Sequence, residues 1–313
     1  MTVALRPYQL ELDGHVQAAW TAGYRNVVMV LPTGGGKCLG KGTPVMMFDG
    51  SIRAVETIRT GEFLMGPDSM PRKVLSTCKG VENLYRVSPT KGAPYVVNES
   101  HVLSLKTTRQ RAAHGSDKIV NISVREYLKK TNWWKHIHKG WRSPEISFAR
   151  SGAPLPIDPY ILGIWLGDGH SQECALTTMD DEIAAAWSAY GASLGLNTSV
   201  RKAGGRSITL GLGKTRGVAN PLTNALRSVG VWGLGRKHIP HIFRTASAQD
   251  RLSLLAGLMD TDGSYTGKGY DFISKNRGLA EDVAFVARSL GMAAYPVACM
   301  KSAQTGEIGR AHV

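Results

Sequence analysis

Two segments of this chain repeat one pattern. Pro159-Tyr160-Ile161-Leu162-Gly163-Ile164-Trp165-Leu166-Gly167-Asp168-Gly169 and Leu254-Leu255-Ala256-Gly257-Leu258-Met259-Asp260-Thr261-Asp262-Gly263 are apolar runs closed by Asp-Gly. Each reads as a helix, the first with Pro in its opening turn, where no intrahelical N–H is lost. Gly inside an apolar helix costs propensity, and its presence in both copies implies that another helix approaches closely there. Like elements about a hundred residues apart imply an internal duplication. One Asp-Gly would be no more than a helix C-cap; two copies make Asp168 and Asp262 candidates for a shared site.

A different constraint stands at the start of the chain. Leu5-Arg6-Pro7-Tyr8-Gln9 leads into Leu10, Leu12, Val16, Ala19 and Trp20, spaced for one buried helix face and ended by Gly23. Asn26–Leu31 is a continuous apolar run, as in a buried parallel strand. Pro32-Thr33-Gly34-Gly35-Gly36-Lys37 follows, and a strand entering a Gly-rich turn that ends in Gly-Lys is a phosphate cradle. The cradle should continue with a Ser or Thr for Mg²⁺ and then a helix. Cys38-Leu39-Gly40-Lys41-Gly42-Thr43-Pro44 stands there instead and cannot be helical. Such a broken loop is either degenerate or interrupted by an insertion after Lys37.

Residues 38–130 read as β-rich. Thr43–Phe48, an Asp49-Gly50 turn and Ser51–Val55 predict a hairpin, and Val74-Leu75, Tyr85–Val87 and Tyr95–Val97 predict further short strands.

Three resemblances attach to these motifs. Arg6-Pro7-Tyr8-Gln9 with Pro32–Lys37 resembles superfamily 2 helicases of the DEAD/DEAH type, whose first motif is P-T-G-x-G-K-[S/T]. Cys38–Val45 resembles the N-terminal splicing block of an intein, and Asn98-Glu99-Ser100-His101-Val102-Leu103 its second block, T-x-x-H, with Asn98 at the Thr position. The two Asp-Gly helices resemble the LAGLIDADG pattern of DOD-type homing endonucleases, and Lys237-His238-Ile239-Pro240 the K-x-I-P block of intein-borne members. Inteins favour nucleotide-binding loops, so the broken cradle and the new Cys38 account for each other.

The resemblance implies a mixed fold: an incomplete all-β Hint splicing domain, an α+β LAGLIDADG endonuclease domain with a pseudo-twofold repeat, and a short α/β helicase leader. It divides the chain into a helicase N-extein (1–37), the N-terminal part of the Hint domain (38–130), a linker (131–153), the endonuclease (154–300) and a truncated end (301–313). Cys38 would be the nucleophile that attacks the carbonyl of Lys37 in an N–S acyl shift, with Asn98 and His101 acting on the Lys37–Cys38 amide. Asp168 and Asp262 would meet at the pseudo-twofold axis and hold Mg²⁺ between them. Lys237 would support the scissile phosphate or a nearby water. Mirror-related sheets would straddle double-stranded DNA and read its major groove. Thr33, Gly34, Gly35, Gly36 and Lys37 would bind ATP only in the reconstituted host helicase. An intein ends in His-Asn before Cys, Ser or Thr, which is not found here. Glu307–Val313 back-translates to a sequence like a common sequencing adaptor, so a C-terminal truncation with an artefactual tail is expected, as is a failure to splice.

Composition agrees. The 313 residues carry 38 Lys+Arg against 24 Asp+Glu, a net +14, which suits a polyanionic partner. At 42% hydrophobic and 20% charged the chain is neither disordered nor membranous, and the length suits two or three domains. No apolar stretch could span a membrane and no signal peptide opens the chain, so a cytoplasmic monomer is expected. Cys38, Cys78, Cys174 and Cys299 lack any C-x-x-C spacing, which argues against disulfides or a zinc ribbon. Trp133, Trp134 and Trp141 among bases suit either nucleic-acid contact or a buried anchor. His136-x-His138 and His238-x-x-His241 lack partners at ligand spacing. A calcium loop from Asp260 fails, because Tyr265 and Asp271 stand where Gly and Glu are required. Two alternatives stay open: a non-splicing basic DNA-binding module that keeps the nuclease fold, and an ATP-dependent helicase fragment.

Overall fold

The computed structural model describes residues 14–15, 17–18, 21–23, 27–28, 38–77, 79–81, 83–108, 119–149, 154–214, 218–302 and 308–312. The chain divides into two compact units, Met1–Pro144 and Glu145–Val313.

In the first unit, residues 14–15, 17–18 and 21 are helical, and the chain turns at Gly23, whose φ of +89° a side chain would resist. Strand β1 (Val27–Val28) pairs in parallel with Lys73–Val74. The anticipated hairpin is present: β2 (Pro44–Met46) pairs antiparallel with β3 (Ile52–Ala54), Pro44 opposite Ala54. Its turn is held by Asp49 Oδ1, which accepts from the Ser51 N–H at 2.9 Å. Strands β4 (Phe63–Met65) and β5 (Pro71–Val74) are antiparallel, and Met47, Ile58 and Val74 make a small buried core.

A second cluster gathers the remaining strands. β6 (Leu84–Val87) pairs with β7 (Tyr95–Asn98), while β8 (Val102–Thr107) lies between β9 (Ile119–Ser123) and β10 (His138–Gly140). Alternation along β8 turns Leu103 and Leu105 inward against Val97, Ile122 and Val124. Helix α1 (Val124–Leu128) starts in a capping box of Ser123 and Glu126, and α2 (Asn132–Ile137) is capped by Thr131. The segment read as a linker thus contributes α2 and β10 to the first unit, and Trp134 stacks on His138 at 3.8 Å. Residues 145–148 belong to the second unit.

The second unit runs α3 (Pro159–Asp168), β11 (Ala175–Thr178), α4 (Asp181–Ser193), β12 (Asn197–Gly204), β13 (Ser207–Gly213) and α5 (Pro221–Ser228). Then come α6 (His241–Arg244), α7 (Ala248–Asp262), β14 (Gly263–Tyr265), β15 (Tyr270–Phe272), α8 (Arg277–Ser289), β16 (Ala298–Ser302) and β17 (Ile308–His312). An Asp-Gly helix, a strand or strand pair, a helix and a strand pair thus occur twice, as α3, β11, α4, β12–β13 and as α7, β14–β15, α8, β16–β17, with α3 packed against α7. One core runs through both halves and includes Leu162, Trp165, Trp187, Leu210, Leu254, Leu258 and Val286.

The sheets are not mirror copies among the described residues. The first half has a three-stranded sheet in the order β11-β13-β12; the second has two separate ladders, β14–β15 and β16–β17. Strands β14 and β15 are three residues each, and Pro296, which has no N–H for a ladder, stands shortly before β16.

Candidate functional site

Helix α3 is set by Asp158, whose Oδ1 accepts from the Ile161 N–H at 3.1 Å, and α7 by Ser247, whose Oγ accepts from the Asp250 N–H at 3.1 Å. Their faces meet at glycine. A Cβ on Gly163 would fall 3.0 Å from Gly257 Cα, and one on Gly167 would drive into Thr261. Both helices end on the acid, and the glycine after each is not the usual left-handed cap. Gly169 has φ −71° and Gly263 φ −90°, conformations open to any residue. Lack of room excludes a side chain there: a Cβ would lie 2.6 Å from Trp165 Cγ at Gly169 and 2.6 Å from Met259 Cα at Gly263. Each Asp is therefore carried round at the end of its helix by a tight, side-chain-free turn.

Asp168 and Asp262 stand at helix C-termini, where the unpaired carbonyls already concentrate negative charge. Burial raises the pKa of Asp168 against the pull of Lys237. Burial, and then the charge of Asp168, push Asp262 up to about 6. Lys237 is desolvated in turn, which brings its ammonium down to about 8 while both acids pull it back up. Its Nζ donates to the Gly167 carbonyl at 2.8 Å and lies 5.4 Å from the centre of the Trp165 ring, which stacks with Trp232. The structure thus brings Asp168, Asp262 and Lys237 into one charged group.

Lys237 is held by residues that sequence reasoning missed. Asn276, the N-cap of α8, donates from Nδ2 to the Lys237 carbonyl at 2.6 Å. Asp282, one turn and a half further along α8, accepts from the Ile239 N–H at 2.9 Å and pairs with Arg244 at 2.9 Å. An Asn before a helix could have been found as a cap, but nothing local ties it to a lysine 39 positions earlier.

The donor set at the helix ends consists of two carboxylates and backbone carbonyls, hard oxygens that fit a small divalent cation. Among the described residues no group of three or more His, Cys, Asp or Glu is placed to enclose a metal. A cation between Asp168 and Asp262 would therefore take its remaining ligands from water and substrate. His138 and His238 are engaged elsewhere, with Nδ1 on the Trp134 and Arg236 carbonyls at 2.9 and 2.7 Å.

In the first unit the segment after Lys37 is stitched to β7. Leu39 bridges Val97 antiparallel, and the Gly40 N–H donates to the Val96 carbonyl at 2.7 Å. Only glycine fits at 40, since a Cβ would lie 2.7 Å from the Val96 Cβ. The Asn98 N–H donates to the Cys38 carbonyl at 3.1 Å, and the Cys38 N–H, which belongs to the Lys37–Cys38 amide, donates to Asn98 Oδ1 at 3.1 Å. Asn98 is fully buried, and His101 follows in the same turn, its N–H on the Asn98 carbonyl at 3.2 Å. Cys38, Asn98 and His101 are thus brought together. Thr33, Gly34, Gly35, Gly36 and Lys37, the candidate ATP cradle, lie outside the described residues.

Both units match known families over part of their length. The family model described as Hom_end-associated Hint matches residues 38–136, and that of the LAGLIDADG-like domain matches 250–308. Among curated proteins, the replicative DNA helicase DnaB of Mycobacterium intracellulare is 29% identical, over 86% of this chain and 45% of its own length. The catalytic subunit of the V-type proton ATPase of Candida tropicalis is 38% identical over 80 residues, 22% of this chain and 7% of its own. The chain thus spans less than half the length of either relative. Two solved structures of the homing endonuclease I-DmoI align with half of this chain. Its mesophilic variants give TM-score 0.34 at 14% identity over 50% of this chain and 87% of theirs. Its complex with DNA and Mn gives 0.35 at 14% over 50% and 88%. Cys38 thus opens a Hom_end-associated Hint domain, Asp262 lies in a LAGLIDADG-like domain and a helicase is among the relatives, the make-up of an intein that carries a homing endonuclease.

Proposed function

We propose that the second unit cleaves double-stranded DNA at a specific site with Mg²⁺, and that the first unit carries out the N–S acyl shift at Cys38, within a helicase host. The observation that carries the nuclease reading is the convergence of Asp168, Asp262 and Lys237 at two helix ends, each displaced from its ordinary pKa by burial. Two desolvated carboxylates beside two helix C-termini are costly as they stand, and a divalent cation offsets that cost. Asp168 and Asp262 would hold it, and it would stabilise charge on the attacking and leaving oxygens of the phosphodiester. Lys237, steered by Asn276 and by the Gly167 carbonyl, presents an ammonium to the scissile phosphate or orders a water beside it. The net charge of +14 suits the partner.

For the acyl shift, Cys38 Sγ attacks the Lys37 carbonyl carbon. The C–S bond forms, the C–N bond breaks, and the thiol proton ends on the Cys38 nitrogen, a transfer assigned to His101. The chain acts as a cytoplasmic monomer in this reading. ATP belongs only to the host, whose P-loop is restored when Lys37 is rejoined to a hydroxyl residue.

The test incubates the intact chain with a plasmid carrying the host coding sequence with the segment that begins at Cys38 removed. Mg²⁺ should give a linear product, and Asp168→Asn or Asp262→Asn should abolish it while gel retention of the DNA persists. Binding without cutting by the unsubstituted chain would favour a non-cleaving DNA-binding module. Undiminished cutting by both variants would remove the two acids from the site. Dithiothreitol should release residues 1–37 from the intact chain and not from Cys38→Ala.

A further inference from the structure

We infer that Ser100 is a positioning residue for the acyl shift: it holds the Asn98 carboxamide with its oxygen turned to the Lys37–Cys38 amide. The inference rests on the reading of Cys38 as the nucleophile.

The carboxamide of Asn98 links Cys38 to Ser100. Its Oδ1 accepts from the Cys38 N–H at 3.1 Å, and its Nδ2 donates to Ser100 Oγ at 3.0 Å. The two ends of a carboxamide are alike in size and shape, so its partners decide which end faces where. The Cys38 N–H can only donate, which requires Oδ1 on that side. Nδ2 then lies on the other end of a residue with no exposure to water, where a donor needs an acceptor from the protein. The Ser100 hydroxyl, which both donates and accepts, meets it. Ser100 can reach because it lies in the two-residue turn just after β7, and the His101 N–H closes that turn on the Asn98 carbonyl.

The orientation matters to the chemistry because the bond to Cys38 strengthens as the reaction runs. In the amide it is a neutral hydrogen bond. When the C–N bond breaks, the nitrogen becomes an α-amine, whose pKa of about 7.7–8.0 leaves it largely as ammonium at neutral pH. The same Oδ1 then accepts a charge-assisted hydrogen bond, about twice as strong. Asn98 thereby favours the thioester side over the amide, an interaction made more fully late than early. With the carboxamide reversed, N–H would face N–H and the preference would be lost.

The test measures, in the full chain, the rate at which dithiothreitol releases residues 1–37. Ser100→Ala should slow release roughly tenfold, the scale of one lost hydrogen bond, and Ser100→Thr should restore it by keeping the hydroxyl. Asn98→Ala should be at least as slow, and adding Ser100→Ala to it should cost nothing more, because the two act as one unit. In the Cys38→Ala chain, which cannot react, the side-chain amide protons of Asn98 should exchange with solvent faster once Ser100→Ala is added. Release from Ser100→Ala at the unsubstituted rate, multiplying effects of Ser100→Ala and Asn98→Ala, or unchanged exchange would each overturn the role of Ser100 alone. No release from the unsubstituted chain would overturn the Cys38 reading and this inference with it.

Discussion

Gly163 and Gly257 bring the backbones of α3 and α7 to within the space of one missing methyl group. A Cβ on Gly257 would lie 3.1 Å from Gly163 Cα and 2.9 Å from the Ile164 nitrogen, and one on Gly163 would strike the Leu254 carbonyl. Gly257→Ala gains up to about 1 kcal/mol of helix propensity, yet the methyl meets backbone that cannot rotate away. Overpacking of this kind costs about 1–3 kcal/mol, at the upper end where only main chain can yield. The expected outcome is a net loss of thermal stability in the second unit together with loss of DNA cleavage, since the helix ends carrying Asp168 and Asp262 would spread. Ala256→Gly, on the exposed side of the same helix, is the control and should lose only helix propensity. A Gly257→Ala protein as stable as the parent would show that the helices are not in backbone contact.

Asp262 links stability to pH. Its folded pKa of about 6 lies above the ordinary value of 3.8, so the folded unit holds a proton that the unfolded chain releases. Its stabilising contribution is fully present below pH 3.8, is lost as pH rises through about 6, and stays lost at neutral pH. By linkage the difference is on the order of 3 kcal/mol. In chelator, melting of the second unit should therefore fall between about pH 4 and about pH 6, the span set by the two pKa values. Asp262→Asn should flatten that fall, and Mg²⁺ at pH 7.5 should raise the melting temperature of the parent but not of the variant. A parent melting curve indifferent to both pH and Mg²⁺ would sink this account.

Much of this could be read from the chain because it is local. The Asp158–Pro159 start and Asp168-Gly169 end of α3 lie within a dozen residues, as does the Asp49-Gly50 hairpin, and propensity with spacing suffices for both. Asn98 and His101 were found as a block, but the bond from Asn98 to the Cys38 amide depends on the register of Leu39 with Val97, which no short-range rule supplies. Asn276 and Asp282 escaped for the same reason: they act on Lys237 and Ile239 only after α8 has packed. The unequal sheets of the two halves were masked by the very similarity of the helices that precede them.

Arg251 is the other long-range feature, a guanidinium only 1% exposed and, among the described residues, without a carboxylate bonded to it. Its Nε donates to the Ala246 carbonyl at 3.1 Å and its Nη2 to the Ile146 carbonyl at 2.6 Å, while Nη1 is bonded to Ser289 Oγ. The charge lies 5.0 Å from the centre of the Phe148 ring, and the Ile146 N–H returns to the Ser289 carbonyl at 2.8 Å. Desolvation lowers the Arg251 pKa, with Glu145 opposing, but a guanidinium stays charged, so the cost of burial must be met by these acceptors. Together they fasten residues 145–148 to α7 and α8. Arg251→Met keeps the length and removes five donors, which leaves the Ala246 and Ile146 carbonyls unmet at about 1–3 kcal/mol each, less whatever relief comes from removing a buried charge. Urea unfolding of the second unit should shift by about 2–4 kcal/mol on that accounting, and limited proteolysis should newly cut within residues 145–148. Arg251→Lys should give much the same result, because one ammonium cannot span three acceptors set in a guanidinium fork. If Arg251→Lys behaves as the parent, the charge alone holds the segment and the fork geometry is irrelevant.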